Sequence, residues 1–179
     1  MTQVGSVYGE ALYGLAREEN LEKTVLEELK VLNESFSQEP GFLKLLSAPN
    51  LSKEERCGIV DDCFRGKVHA YVLNFLKILT EKGYVRRFAE CVEAFRQQYN
   101  ADHGILCVTA VTAVALTKAQ ETKLCTKLAG ITGKTIDLAN RVDPTCMGGV
   151  RLDYDGKRLD DTVSHRLDAI GSLLKNTVL

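Results

Sequence analysis

Apolar residues in roughly the first hundred positions of the chain recur at spacings of three and four. Each run therefore places one apolar stripe along a helix. The first two stripes run from Val4 to Leu15 and from Leu21 to Phe36. Pro40 interrupts the pattern, and a short helix follows it. This opening region predicts amphipathic helices that need partners for their apolar faces.

Capping and stop signals divide the following residues in the same way. Ser52-x-x-Glu55 is a capping box that begins a helix, and Gly66 is a stop signal for it. The next stripe ends at Gly83, and a last one continues to Tyr99. About six helices therefore precede residue 103, and their short connections favour mutual burial in a compact bundle.

The pattern changes to a strand period after residue 103. The segment Ile105–Thr112 has the composition of a strand, and Thr117-x-x-Gln120 is a second capping box that begins a helix. Alternating apolar residues then predict strands over 136–142 and 150–154. The predicted order here is strand, helix, strand, strand, helix.

The last predicted helix follows a hairpin signal at Asp155-Gly156, and Asp160 or Asp161 is expected to cap it. Its apolar stripe has spacings of four, three and four: Val163, Leu167, Ile170 and Leu174. The fold class predicted for the chain is α+β, mainly α. An N-terminal helical bundle is expected over residues 1–103, followed by a small C-terminal α/β domain over residues 104–179.

Charge and hydropathy exclude several classes of protein. The chain carries 13 basic and 16 acidic residues through Gly104, a balance of −3, and 10 and 8 after it, a balance of +2. No basic patch suited to nucleic acid is present. The longest apolar stretch, Ile105–Leu116, falls far short of the roughly 20 residues that cross a bilayer. No signal peptide is visible at the N-terminus, so a cytoplasmic location without membrane insertion is expected.

The sequence offers little that resembles an active site. Its six cysteines include no Cys-x-x-Cys pair, which predicts free thiols and no bound metal. Gly148-Gly149 lacks the spacing of a phosphate-binding loop, so a bulge or a close backbone approach is the favoured interpretation. The three histidines, including His165 in the last helix, are far apart in sequence. No catalytic residue, metal or cofactor is predicted, and a binding function is favoured over an enzymatic one.

Three segments resemble the delta subunit family of F-type ATP synthases, whose mitochondrial counterpart is the oligomycin-sensitivity-conferring protein. Tyr8 to Ala16 is similar to the family's Tyr-Ala-x-Ala-Leu opening, with Gly9 in place of alanine. Leu79 to Tyr84 is similar to its Leu-x-x-x-Gly-Arg segment, with Tyr84 in place of arginine. The closing segment from Met147 to Leu167 resembles its Gly-Gly strand, turn and Arg-Leu helix, although Asp161 and Thr162 replace glycine and serine.

The resemblance implies a six-helix N-terminal bundle, a small C-terminal α/β domain and a role without catalysis. Such a subunit joins the N-terminal segments of the alpha subunits, in the catalytic head, to the stalk helices of the b subunits. This stator resists rotor torque, so that proton-driven rotation is coupled to ATP synthesis. The implied location is the cytoplasmic face of the bacterial plasma membrane, within the peripheral part of the complex.

The resemblance also implies a groove between the first and fifth helices that takes an amphipathic helix of the alpha subunit. Because the same residues have the spacing of a bundle core, the sequence leaves both roles open for each of them. The candidate partner-binding residues are Tyr8, Ala11, Leu12, Leu15, Val72, Leu76 and Leu79. The C-terminal domain is the candidate for the stalk contact, without assigned residues.

Two other functions remain open from the sequence. One is a free-standing adaptor whose helical bundle binds an amphipathic peptide without joining a synthase. The other is a small enzyme that holds an anionic substrate at the Gly148-Gly149 turn. The adaptor would not co-purify with a synthase head, and the enzyme would bind phosphate ligands.

Overall fold

The computed structural model describes residues 3–48 and 51–163, together with residues 165 and 167. The fold is mainly helical, with a four-stranded sheet in the C-terminal part. The chain divides into two compact units after Tyr99. The sequence pattern places the boundary after residue 103 instead, where polar residues and Gly104 lead into the first strand. The last N-terminal helix of the structure continues to Asp102.

Seven α-helices have both ends within the described residues. Six of them precede residue 103: α1 (Gln3–Glu18), α2 (Glu22–Gln38), α3 (Pro40–Leu46), α4 (Lys53–Phe64), α5 (Ala70–Glu81) and α6 (Phe88–Asp102). A 3₁₀ turn, Val85–Arg87, comes directly before α6. The seventh helix, α7 (Lys118–Thr132), belongs to the C-terminal unit.

Side-chain caps begin α4, as the sequence predicts, and α5, where the sequence analysis names no cap. The Glu55 amide donates to Ser52 Oγ at 3.1 Å, and the Ser52 amide donates to Glu55 Oε2 at 2.8 Å, which completes the predicted capping box. The Tyr71 amide donates to His69 Nδ1 at 3.3 Å, so a histidine caps α5. Gly83 lies in the left-handed region and closes the same helix.

The core of the N-terminal unit is built around aromatic rings. Phe36 of α2 lies 5.1 Å from Phe88, 5.6 Å from Phe42 and 6.0 Å from Phe64, measured between ring centroids. Offset and edge-on ring pairs of this kind stabilise a core beyond the area that they bury. The aromatic contacts thereby join α2, α3, α4 and α6.

The sheet of the C-terminal unit has the strand order β2-β1-β3-β4. Its strands are β1 (Ile105–Thr112), β2 (Thr135–Val142), β3 (Val150–Tyr154) and β4 (Lys157–Asp160). β1 and β2 are parallel, whereas β1–β3 and β3–β4 are antiparallel. One face of the sheet packs on apolar residues of α7 and presents Leu106, Val108, Ala110 and Leu152. Side chains at even positions of β1, β2 and β3 therefore face α7, as the period of two requires.

The predicted element order is wrong in one place. It passes directly from the third strand to a helix, whereas the structure has a fourth strand, β4, between them. Asp155 and Gly156 have φ angles of +44° and +72°, as in a type I′ hairpin turn, and Tyr154 pairs with Lys157 across it. The hairpin signal is thus confirmed. The sequence Lys157–Asp160 lacks apolar alternation because β4 is an edge strand with mostly exposed side chains.

The cap of the last helix is also a correction. The His165 amide donates to Thr162 Oγ1 at 3.2 Å, so Thr162 caps the helix, a role that the sequence analysis gave to Asp160 or Asp161. Asp160 instead accepts from the amide and the hydroxyl of Thr162. Val163 and Leu167 have helical backbone, whereas Ile170 and Leu174 lie outside the described residues.

We expect the Asp160 turn to make stability depend on pH. Hydrogen bonds from the side chain and the backbone of Thr162 lower the pKa of Asp160, and His165 and Arg151 add to this effect. A lowered folded-state pKa contributes stability that is present above the unfolded value, near pH 4, and is lost as the pH falls through the folded pKa. Thermal melting should show that Asp160→Ala is less stable than the parent at pH 7, with the gap closing towards pH 3. A gap of constant size would contradict this account.

Candidate functional site

The four candidate residues on α1 differ in their exposure. Leu12 is buried in the core, and Tyr8 is half-buried. Ala11 is exposed, and Leu15 is exposed over 50% of its surface. One side of the stripe thus faces the bundle, and the other faces solvent.

The three candidates on α5 lie in the core. Val72, Leu76 and Leu79 are all fully buried. The exposed large apolar side chain of this helix is instead Ile78, at 45% exposure. The candidates on α5 are therefore not accessible in this structure, and they hold α5 against the rest of the bundle.

The exposed apolar face of α1 consists of Val7, Ala11 and Leu15. Spacings of four place these residues on one side of the helix. Val7 is 58% exposed, compared with 50% for Leu15. It lies outside the predicted stripe, so the sequence analysis missed it. The feature that could have identified it is that apolar residues occur around more of the α1 circumference than one buried face requires. We call this set the α1 face.

Packing on both sides fixes the orientation of the α1 face. Gly5 and Gly9 lie against α6, where a Cβ on Gly9 would come within 2.7 Å of Ala94 Cβ. Tyr8 lies 6.0 Å from Tyr84, measured between ring centroids, and Tyr84 comes three residues after the end of α5. The two glycines let this side of α1 approach α6 closely. The α1 face lies on another side of the helix and is left exposed.

Ionisable groups border the α1 face rather than occupy it. Glu10 and Glu18 are exposed residues of α1. Apolar side chains with a charged rim fit a protein contact better than acid–base chemistry.

Two of the six cysteines, Cys57 and Cys91, are not activated as nucleophiles. Burial raises the pKa of the Cys91 thiol to about 11, with a smaller contribution from Glu90. Burial also raises the pKa of Cys57, and Glu81 adds to the effect. Both groups are therefore neutral thiols near pH 7. Among the described residues, no group of three or more His, Cys, Asp and Glu side chains could hold a metal ion.

The Gly148-Gly149 turn serves backbone packing. Gly149 has a φ of +78°, and a Cβ there would overlap the carbonyl oxygen of Asp161 and come within 3.1 Å of Thr162 Cα. The Val163 amide donates to the Gly148 carbonyl at 3.0 Å. The predicted close backbone approach is confirmed, and it joins the start of β3 to the start of the last helix.

Each helix in the described ranges is too short or too polar to span a bilayer.

Comparisons with known proteins agree over almost the whole chain. The family model described as "ATP synthase delta (OSCP) subunit" matches residues 4–174. A protein named ATP synthase subunit delta from Alkaliphilus oremlandii is 34% identical over 164 residues, which cover 92% of this chain and 91% of the relative. A protein of the same name from Clostridioides difficile is 28% identical over 176 residues, which cover 98% of this chain and 97% of the relative.

A solved structure shares the fold. A chain in the cryo-EM structure of the Toxoplasma gondii mitochondrial ATP synthase hexamer has a TM-score of 0.76 and 21% sequence identity, with 97% of this chain and 98% of that chain covered. The fold is therefore one that this solved structure also contains. With the family model matching residues 4–174, the chain belongs to the ATP synthase delta (OSCP) subunit family.

Proposed function

We propose that the chain is a non-catalytic subunit of the peripheral stalk of the F1Fo ATP synthase. It links the alpha/beta catalytic head to the b-subunit stator, so that proton-driven rotation is coupled to ATP synthesis. The observation that carries this function is the exposed α1 face on a chain that matches the delta family over residues 4–174. An attachment subunit needs a durable apolar contact, which this face can supply.

In this proposal the two domains of the chain bind different partners. A bundle of six helices, over residues 1–103, binds the N-terminal segments of the alpha subunits. The C-terminal domain, over residues 104–179, takes the b-subunit stalk helices. The complex places the chain at the cytoplasmic face of the plasma membrane without membrane insertion, and the chain has no active site of its own.

The alpha-subunit segment would bind as an amphipathic helix laid along α1. Ala11 and Leu15 from the sequence-based set, together with Val7, supply exposed apolar area, and Tyr8 supplies one edge. The small Ala11 between two larger side chains leaves space for a side chain of the partner helix.

The buried candidates have a supporting role in this proposal. Leu12 holds α1 in the core, while Val72, Leu76 and Leu79 hold α5 there. A charge at Leu76 would unfold the bundle, because an ion in an apolar core costs several kcal/mol. A loss of binding in such a variant would therefore say nothing about the contact itself.

Leu15→Asp is the sharper test of the α1 face. We expect it to weaken binding of a synthetic peptide from the N-terminus of the cognate alpha subunit at least tenfold in calorimetric titration, since it puts a charge into an apolar contact. Because Leu15 is half exposed in the free chain, the fold should be retained. Circular dichroism and thermal melting would check this.

Val31→Asp is the matched control. Val31 of α2 is 63% exposed and lies outside the α1 face, so its replacement should leave peptide binding unchanged. Equal affinity of the parent and Leu15→Asp would remove the α1 face from the proposal. A free-standing adaptor would bind the peptide but would not co-sediment with a delta-depleted F1 head, whereas a synthase subunit would do both.

A further inference from the structure

The α1 face ends in an acidic residue at the C-terminal end of the helix. The line through its three apolar residues continues to Glu18, at spacings of four, four and three. Because 11 residues make about three turns plus 20°, Glu18 lies within about 20° of the direction of Val7 around the helix axis. Glu18 is the last residue of α1, and its side chain is exposed. The apolar line therefore ends in a carboxylate.

The opposite end of α1 carries no charge. The helix begins at Gln3, and its first turn, Gln3 to Ser6, has only uncharged side chains. A helix that lies along the α1 face therefore meets a neutral surface at one end and a negative charge at the other. The surface is thus directional, although its apolar residues alone are not.

The position of Glu18 is unfavourable for α1 itself. The last carbonyls of a helix have no intrahelical partner and give its C-terminus a partial negative charge, so a carboxylate there costs stability. Arg17 is the basic residue of the same turn, but adjacent residues on a helix do not face each other. Within the described part of the chain, the Glu18 side chain forms no ion pair or hydrogen bond that offsets this cost. The fold of the free chain therefore gives Glu18 no stabilising role.

A cation on a partner helix would meet two attractive groups at this end of α1. One is the Glu18 carboxylate, and the other is the negative end of the helix dipole. Both lie beside apolar side chains that a partner helix would cover, and a charge pair is stronger where water is excluded. Only a cation at one end of the apolar stripe of the partner can reach them. The pair would therefore fix the direction in which the partner helix runs.

We propose that Glu18 is a specificity residue of the α1 face, which selects and orients an amphipathic helix with a Lys or Arg at one end of its apolar stripe. The inference rests on the proposed attachment of the alpha-subunit segment to α1, and it names the chemistry that this segment must have. The apolar contact supplies most of the affinity, and the charge pair supplies the direction. A cognate segment without such a basic residue would contradict the proposal.

Glu18→Lys separates a binding role from a structural one. We expect the dissociation constant of the synthetic alpha-subunit peptide to rise about tenfold at about 50 mM salt, since an attractive pair becomes repulsive. The melting temperature of the free chain should rise by about 1–3 °C, because a lysine suits the C-terminal end of a helix. A structural residue would instead lose stability and binding together. Calorimetric titration and thermal melting measure the two effects.

Charge exchange tests the direction of the partner helix. In a set of peptides, each Lys or Arg of the alpha-subunit segment is replaced by Glu in turn. The Glu18→Lys chain should bind one of these peptides more tightly than it binds the unchanged peptide, namely the one altered at an end of the apolar stripe. Recovery with no peptide, or equal recovery with several peptides altered along the whole helix, would overturn the proposal.

A matched control and a change of salt separate this inference from the proposed function. Glu34→Lys makes the same change of charge at an exposed position of α2, outside the α1 face, and should leave the affinity unchanged. Raising the salt to about 500 mM should weaken binding to the parent severalfold, and binding to Glu18→Gln much less. If Leu15→Asp weakens binding and Glu18→Lys does not, the α1 contact stands and the role of Glu18 is refuted. A parent that does not bind the peptide would overturn both.

Discussion

Gly9→Ala should lower the free energy of unfolding by about 2–3 kcal/mol, although alanine is the better helix former. A Cβ on Gly9 would overlap the carbonyl oxygen of Cys91 and come within 2.7 Å of Ala94 Cβ and 3.1 Å of the Phe95 amide nitrogen. Two of these three atoms belong to the backbone of α6, so the neighbour cannot move by a side-chain rotation alone. Overpacking of this kind costs about 1–3 kcal/mol. Urea unfolding, followed by circular dichroism, measures the difference.

Gly14→Ala is the control, in the same helix. No atom lies within 4 Å of a Cβ placed on Gly14. Its replacement should stabilise the chain by up to about 1 kcal/mol, because alanine loses less backbone entropy on helix formation. Opposite signs for the two substitutions would establish the close approach of α1 to α6. A stabilising Gly9→Ala would show that this approach has room for a methyl group, as the alanine of the resembled family motif suggests.

Gly149→Ala should be at least as destabilising, by about 3 kcal/mol. Its φ of +78° costs a residue with a side chain about 1 kcal/mol, and the added Cβ would overlap the Asp161 carbonyl. The strain falls where β3 begins and where Thr162 caps the following helix. Thermal melting at neutral pH should show the loss.

Gly156→Ala separates the cost of the positive φ angle from the cost of the contact with Asp161. Gly156 has a similar φ of +72°, but no atom lies within 4 Å of a Cβ placed there. Alanine at this position should lower the free energy of unfolding only by the cost of the positive φ angle, about 1 kcal/mol. Equal losses at both glycines would show that the contact with Asp161 adds nothing, and that backbone conformation alone requires Gly149.

Most elements of the fold follow from the sequence because their signals are local. The capping boxes at Ser52 and Thr117 hold the starts of α4 and α7, and both are present in the structure. Gly83 and Gly133 have the left-handed conformation that ends α5 and α7. A cap or a stop depends on a few neighbouring residues, so it can be recognised without the tertiary fold.

β4 and the cap of the last helix could not be predicted as reliably. β4 pairs only with β3 and keeps most of its side chains exposed, so its sequence carries no apolar alternation. Asp160, Asp161 and Thr162 are all good capping residues. Thr162 has this role because the chain leaves β4 with Asp160 already accepting the Thr162 amide.

At the candidate site, what the sequence determined differs clearly from what only the tertiary structure decided. The sequence by itself determined that α1 and α5 are amphipathic and that the chain resembles the delta family, because periodicity and motifs are written in residue order. Only the tertiary structure decided that Leu76 and Val72 face inward while Leu15 and Val7 remain exposed. Core positions and a partner surface share the same apolar residue types. What separates them is which neighbouring helix covers each side, and here that depends on the close contact of Gly9 with α6.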